Sequence, residues 1–184
     1  MTEVILYVAA SLDGYIARTD GAVDWLDALP APEPAEDYGY GQFIAGVGVV
    51  LMGRITYEQV LSFGVDYPYP GTEGYVFSRS RAGEQDENVQ FVGGEDIAGL
   101  VAQLKGSQDK DLWLIGGGQL VREFLRLDLI DRFELFILPL VLGQGIPLFP
   151  PDTPQRDLTL VNCQSYANDM VQLTYRRPQG TETG

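Results

Sequence analysis

The sequence predicts a single α/β domain with a mostly parallel central sheet that helices flank on both faces. Six short apolar runs have strand character, and several are apolar throughout, as strands buried on both faces are. Helical stretches lie between these runs, which is the alternation expected of parallel strands with crossover helices. The length of 184 residues suits one domain better than two.

The predicted elements follow one another along the whole chain. Strands are predicted at residues 4–10, 47–52, 75–78, 89–92, 112–115 and 133–138, and helices at 55–62, 97–105 and 119–127. A less regular helix within 35–45 is expected to begin late, because Gly39 and Gly41 each cost about 1 kcal/mol there. Alternation over 157–177 predicts a C-terminal antiparallel hairpin that closes one sheet edge. The domain is expected to span 1–178, with a flexible tail at 179–184.

Composition excludes several classes of function. Twelve basic against 26 acidic side chains give a formal charge of −14, which repels polyanions, so no nucleic-acid partner is expected. The absence of histidine excludes Ser-His-Asp triads, Cys-His dyads and histidine metal sites, and we predict no metal. One cysteine, Cys163, allows no intrachain disulfide, and no apolar run is long enough to span a bilayer. We therefore expect a cytoplasmic protein without a membrane partner.

The glycine run Gly116, Gly117 and Gly118 is the strongest local signal for a ligand. It lies between a predicted strand and the helix that starts at Gln119. At such a junction the backbone N–H groups and the helix dipole favour an anion, and the missing side chains let a pyrophosphate come close. A tight turn is the alternative explanation. The run is neither a Rossmann fingerprint, because Val121 replaces the third glycine, nor a P-loop.

Two further strand ends carry chemistry that suits phosphate. Gly53, Arg54 and Thr56 follow one strand and open a helix, where a bound anion or solvent exposure explains the arginine equally well. Ser78 and Arg79 open a short basic cluster that fits a ribose 2′-phosphate, unless it is simply a solvated loop. Parallel strands end at one edge of their sheet, so the three sites are predicted to converge on one ligand.

The order of these residues resembles the dihydrofolate-reductase-like fold, and within it the reductase branch of riboflavin biosynthesis, known as the bifunctional deaminase-reductase C-terminal domain. The similarity extends from about Val4 to Arg176, and four segments carry it: SLDGYIA at 11–17, MGRITYE at 52–58, IGGG at 115–118 and PLVLGQGIPLF at 139–149. Gln144 departs from a glycine in the last motif. No deaminase domain precedes the match, so this chain is not expected to perform both riboflavin steps.

The resemblance implies NADPH as cofactor and assigns residues to it. Ala9 and Ile16 would line the nicotinamide pocket, and Ser78 and Arg79 would hold the adenosine 2′-phosphate. The remaining phosphate contacts would come from Gly53, Arg54, Thr56, Gly116, Gly117, Gly118 and Gln119.

Two aspartates and one tryptophan are candidates for the substrate side. Asp13 resembles an aspartate near substrate and nicotinamide, although Asp-Gly is also a common turn pair. Asp37 matches the spacing of the carboxylate that binds the pteridine in dihydrofolate reductases, and a solvated acidic helix start that includes Glu33 and Glu36 is the favoured alternative. Trp25 matches a tryptophan of the pocket wall, or belongs to the core.

We therefore predict an NADPH-dependent reductase that transfers hydride to a small heterocyclic or carbonyl substrate, resembling 5-amino-6-(5-phosphoribosylamino)uracil reductase. Asp13 or Asp37 would supply or position the proton. The alternatives are dihydrofolate reductase activity and a nucleotide-binding module without turnover. Because the riboflavin branch commonly pairs, a homodimer is expected, through residues 133–138 or the late loop unless Phe133, Leu135 and Ile137 are core.

Overall fold

A nine-stranded sheet forms the centre of the protein. The structure is a computed structural model that describes residues 1–28, 37–64 and 67–178. The strands of the sheet are β1 (Val4–Ser11), β3 (Val47–Gly53), β4 (Glu73–Phe77), β5 (Gln85–Asp86), β6 (Val89–Val92), β7 (Asp111–Gly116), β8 (Arg132–Leu138), β10 (Thr159–Ser165) and β11 (Val171–Arg176). The sheet has the order β10-β11-β8-β1-β7-β3-β4-β6-β5. A separate two-stranded sheet pairs β2 (Tyr15–Ala17) with β9 (Ile146–Pro147).

The sheet is parallel through its middle and antiparallel at its two edges. Strands β8, β1, β7, β3, β4 and β6 pair in parallel in that order. The C-terminal hairpin of β10 and β11 joins β8 in antiparallel fashion, and β5 pairs with β6 in the same way at the other edge. The predicted fold class and the edge hairpin are confirmed.

Helices cover both faces of the sheet. They are α1 (Tyr40–Ala45), α2 (Arg54–Ser62), α3 (Ile97–Ser107) and α4 (Gly118–Arg126), and a 3₁₀ helix spans Asp24–Ala28. On one face α3 and α4 pack Val101 and Phe124 against β1 and β7. On the other face α1 and α2 pack Phe43 and Tyr57 against β3 and β4. The alternation of side chains along each strand explains how continuous apolar runs serve both faces.

The irregular helix begins late, as the two glycines predict. Gly39 adopts a left-handed conformation with φ of 78°, and α1 starts at the next residue, Tyr40. The Asp37 carboxylate accepts hydrogen bonds of 2.9 Å from the backbone N–H groups of Gly39 and Gly41, which fixes this start. Glu33, Glu36 and the predicted tail 179–184 lie outside the described residues.

The apolar side chains of β8 belong to the core. Phe133 and Leu135 are buried where β8 lies between β1 and β11, so the core explanation of these residues is correct. Exposed apolar side chains lie instead on the edge strand β10, at Leu160 and Val161. Among the described residues, no helix is long and apolar enough to cross a membrane.

Candidate functional site

A large cavity opens at the edge of the sheet where β1, β3, β4 and β7 end. Its volume is about 770 Å³, which is within the range of sites that hold a cofactor or a small ligand. Ten of the eleven residues predicted to bind the cofactor line it: Ala9, Ile16, Gly53, Arg54, Thr56, Ser78, Arg79, Gly117, Gly118 and Gln119. The eleventh, Gly116, ends β7 and precedes Gly117 directly. The strand ends therefore meet at one place, as the topology of a parallel sheet requires.

Two helices begin at this cavity without a side-chain cap. Gly53 precedes α2 and Gly117 precedes α4, and neither position has a side chain that can accept the first N–H groups. The two starts adjoin, because a Cβ atom on Gly117 would lie 3.6 Å from Thr56 Oγ1. Uncapped N–H groups and two helix dipoles directed at one point give a site that favours an anion.

The glycine run lets the backbone pack closely at the start of α4. A Cβ atom on Gly118 would lie 2.3 Å from the carbonyl oxygen of Pro147 in β9, so a side chain there would displace that strand. Gly116 has φ of 120°, which favours glycine, and the peptide bond between Gly116 and Gly117 is cis. The run therefore meets requirements of the fold as well as leaving room for a ligand.

The basic cluster after β4 divides into two parts with different environments. Arg81 is held away from the cavity, since it donates to Glu84 at 2.7 Å, lies 3.6 Å from Asp86 and covers the ring of Phe91. Arg79 is exposed, lines the cavity and forms no ion pair with a described residue. Arg79 is thus the cation of this cluster that a ligand can reach.

Arg54 is less available than Arg79. Its guanidinium donates to Glu58 one helical turn later at 2.6 Å, and both side chains are about half exposed. An exposed pair of this kind contributes little stability, so a bound phosphate can compete for the arginine. The first turn of α2 carries no acidic residue to offset the helix dipole.

An aromatic cluster lies where β1 approaches the cavity. The Tyr7 ring stacks on Phe43 with a centroid separation of 4.0 Å and contacts Trp113 and Phe136. The indole N–H of Trp113 donates to the carbonyl oxygen of Tyr7 at 3.0 Å. Burial raises the pKa of Tyr7 well above its usual range, so its hydroxyl stays protonated at neutral pH. Tyr7 and Trp113 both line the cavity, and sequence reasoning missed them because each lies in an apolar run typical of core.

Asp13 joins two loops and does not line the cavity. Its carboxylate accepts hydrogen bonds from Ser11 Oγ at 2.6 Å, from the Leu142 N–H at 3.1 Å and from the Gly143 N–H at 2.7 Å. These bonds, with Ser11 the largest cause, lower the pKa of Asp13. The side chain thereby fixes the turn after β1 to the late loop that precedes β9, and its proposed catalytic role stays a prediction.

Asp37 and Trp25 also lie outside the cavity lining. The bonds from Gly41 and Gly39 to Asp37 lower the pKa of its carboxyl group. Trp25 is 3% exposed and packs with Phe136 and Met170, and its indole N–H has no partner among the described residues. The described contacts of both residues are structural, and their roles toward a substrate stay predictions.

Comparisons with known proteins agree with this fold. The profile of the RibD C-terminal domain family matches residues 72–172. The Bacillus subtilis (strain 168) protein YwjB, which is uncharacterized, is 40% identical over 175 residues, which are 95% of this chain and 98% of YwjB.

Solved structures show the same similarity. A putative riboflavin biosynthesis protein from Shewanella sp. PV-4 has a TM-score of 0.86 with 31% identity over 97% of this chain and all of that one. The deaminase/5-amino-6-(5-phosphoribosylamino)uracil reductase of Thermotoga maritima has a TM-score of 0.70 with 18% identity, which shows a shared fold. The match covers 96% of this chain and 56% of that longer protein.

Proposed function

Because the chain belongs to the family of RibD C-terminal domains, we propose that it is a reductase that binds NADPH in the cavity and reduces a small heterocyclic or carbonyl substrate. The convergence of two uncapped helix starts with Arg79 carries this proposal. NADPH has a pyrophosphate and a 2′-phosphate, which need an anion site and a separate cation. The residues at the cavity fit both needs.

Different groups of residues along the cavity would bind the two phosphate groups of NADPH. The starts of α2 and α4, from Gly53 to Thr56 and from Gly116 to Gln119, would hold the pyrophosphate through backbone N–H groups and Arg54. Ser78 and Arg79 would hold the 2′-phosphate, which NADH lacks. Each contact fixes the cofactor without taking part in the reaction.

The nicotinamide would lie against Ala9 and Ile16, where small and apolar side chains exclude water. When bound there, NADPH supplies a hydride to the substrate. The chain contributes by holding the nicotinamide and the substrate in a fixed orientation, which can lower the barrier to hydride transfer by roughly several kcal/mol. The accompanying proton would come from water, because the lowered pKa values of Asp13 and Asp37 keep both carboxylates ionised at neutral pH.

Reduction of dihydrofolate is the second candidate, and Asp37 would be its pteridine-binding carboxylate. Asp37 fixes the start of α1, and Phe43 of that helix stacks on Tyr7 in the aromatic cluster. If this candidate holds, Asp37→Asn abolishes dihydrofolate turnover. Equal turnover of dihydrofolate by the wild type and the variant would exclude that role for Asp37. A nucleotide-binding module without catalytic activity would bind NADPH, but none of the substrates would cause the protein to oxidise it.

A fluorescence titration tests the binding step. Trp113 lines the cavity, so bound NADPH should quench its emission and take up its energy, with a dissociation constant in the micromolar range. Cofactor oxidation is then followed at the nicotinamide absorbance with uracil, pteridine and quinone substrates. Absence of NADPH binding at about 1 mM would reject the proposal, because a dissociation constant of that size corresponds to a binding free energy of only about −4 kcal/mol.

A further inference from the structure

The cavity has two ends with different chemistry. The phosphate end comprises the starts of α2 and α4 and the loop after β4. The other end, here called the ring end, is formed by Tyr7, Trp113, Val23, Leu26, Val60 and Phe63. The ring end is closed on one side where Gln59 Nε2 donates to the carbonyl oxygen of Gly21 at 2.6 Å, which holds the loop after β2 against the second turn of α2.

No cationic side chain lines the ring end. The chain has twelve lysines and arginines, and all twelve lie within the described ranges. Only Arg54 and Arg79 line the cavity, and both belong to the phosphate end. Arg18, on the loop after β2, does not line the cavity, and it pairs with Asp24 through two hydrogen bonds of 2.7 and 2.9 Å. A phosphate on the substrate would compete with NADPH for the same two arginines.

No carboxylate of residues 1–28, 37–64 and 67–178 lines the cavity either. The polar side chains at this end are Tyr7, which also lines a second cavity with Glu134 and Tyr166, and Gln59. The carbonyl oxygen of the Gln59 amide is an acceptor that the bond to Gly21 does not use. Burial of a charge without a partner is costly, so the described lining of the ring end favours an uncharged ligand.

We infer that the hydride acceptor is an uncharged, flat ring compound without a phosphate, such as a cyclic enone, quinone or dihydro-heterocycle. In the reaction a C=C, C=N or C=O bond of the substrate becomes a single bond. One of its atoms gains the hydride from NADPH, which leaves as NADP⁺, and the other gains a proton from water. This inference rests on the proposed function and differs from it in excluding phosphoribosyl substrates.

Calorimetric titration of the NADP⁺-saturated protein tests the inference with three ligands. They are quinazolin-4-one as the neutral flat probe, 5-amino-6-ribosylaminouracil, and the same nucleoside with its 5′-phosphate. We expect quinazolin-4-one to bind below about 1 mM, and the phosphate to tighten nucleoside binding by no more than about threefold. Tightening beyond that factor, or no binding of quinazolin-4-one, would overturn the inference.

Two variants at the C-terminal end of α2 locate the bound probe. Phe63 lines the ring end and is 57% exposed, whereas Leu61 is 45% exposed and does not line the cavity. Phe63→Ala should weaken quinazolin-4-one about fivefold through lost ring contact, and Leu61→Ala should leave it unchanged. Equal effects of the two substitutions would contradict binding at the ring end.

Failure of the proposed function is distinguishable from failure of this inference. The same ligands are titrated without cofactor, so their ranking is obtained even if NADP⁺ does not bind. Absence of cofactor binding rejects the nicotinamide role alone. Cofactor binding together with tighter binding of the phosphorylated nucleoside rejects the uncharged substrate alone.

Discussion

The start of α4 offers a substitution whose effect can be worked out from the structure. A methyl group in Gly118→Ala would lie 2.3 Å from the Pro147 carbonyl oxygen and 3.3 Å from that of Leu148. Ordinary contact begins near 3.4 Å, so β9 or α4 has to move by about 1 Å. Pro147 pairs with Tyr15 in the small sheet, and the displacement therefore reaches the loop that closes the cavity.

Overpacking of this kind costs about 1–3 kcal/mol, and the better helix propensity of alanine returns at most about 1 kcal/mol. We expect Gly118→Ala to lower the free energy of unfolding by about 1–2 kcal/mol. For a chain of this size that change lowers Tm by about 2–8 °C. Differential scanning calorimetry without cofactor measures it directly, and an unchanged or higher Tm would refute the packing argument.

Gly117→Ala is the matched control for this prediction. Its methyl group would meet only Thr56 Oγ1 at 3.6 Å, so the fold has room for it. Gly117 nevertheless lines the cavity at the proposed pyrophosphate site. We expect Tm to stay within about 2 °C while NADPH affinity falls at least about tenfold, about 1.4 kcal/mol. A stability loss equal to that of Gly118→Ala would contradict the distinction between the two glycines.

Two further predictions concern loop closure and assembly. Asp13 has a lowered pKa in the folded protein. Its ionised carboxylate therefore stabilises the fold fully at pH values above the unfolded pKa of about 3.9, and this stabilisation is lost as the pH falls through the lower pKa of the folded state. Asp13→Asn should lower Tm at pH 7, and the difference from wild type should shrink below about pH 4; a constant difference would contradict the charge-based account. We also expect a homodimer through the edge strand β10, where Leu160 and Val161 are 52% and 55% exposed. Light scattering should give twice the chain mass, and a monomer mass would remove this expectation.

The sequence predicts the main strands and helices because their apolar patterns are long and regular. It misses β2 and β9, since a pair as short as Tyr15 with Pro147 has no local pattern and exists only through tertiary contact. It also misses β5, a two-residue strand at the edge. Elements of this length depend on what they pair with, which periodicity cannot show.

The candidate site likewise has one part that the sequence predicts and one part that it does not. Phosphate-compatible residues could be predicted from strand ends, because parallel topology brings those ends together. The ring end could not be predicted in this way, because the sequence pattern around Trp113 is typical of core and Phe63 has no pattern that separates it from other surface residues. Asp13 shows the limit clearly, because its partners Leu142 and Gly143 lie about 130 residues away in the sequence.

The preference for NADPH over NADH in Arg79→Ala tests the central claim most directly. Arg79 is the exposed cation proposed to hold the 2′-phosphate, and Arg126, exposed on α4 and outside the cavity, is the control. We predict that Arg79→Ala weakens NADPH binding at least about tenfold, leaves NADH binding within about twofold, and that Arg126→Ala changes neither. Unchanged NADPH affinity in Arg79→Ala, or an equal loss for both cofactors, would contradict the account.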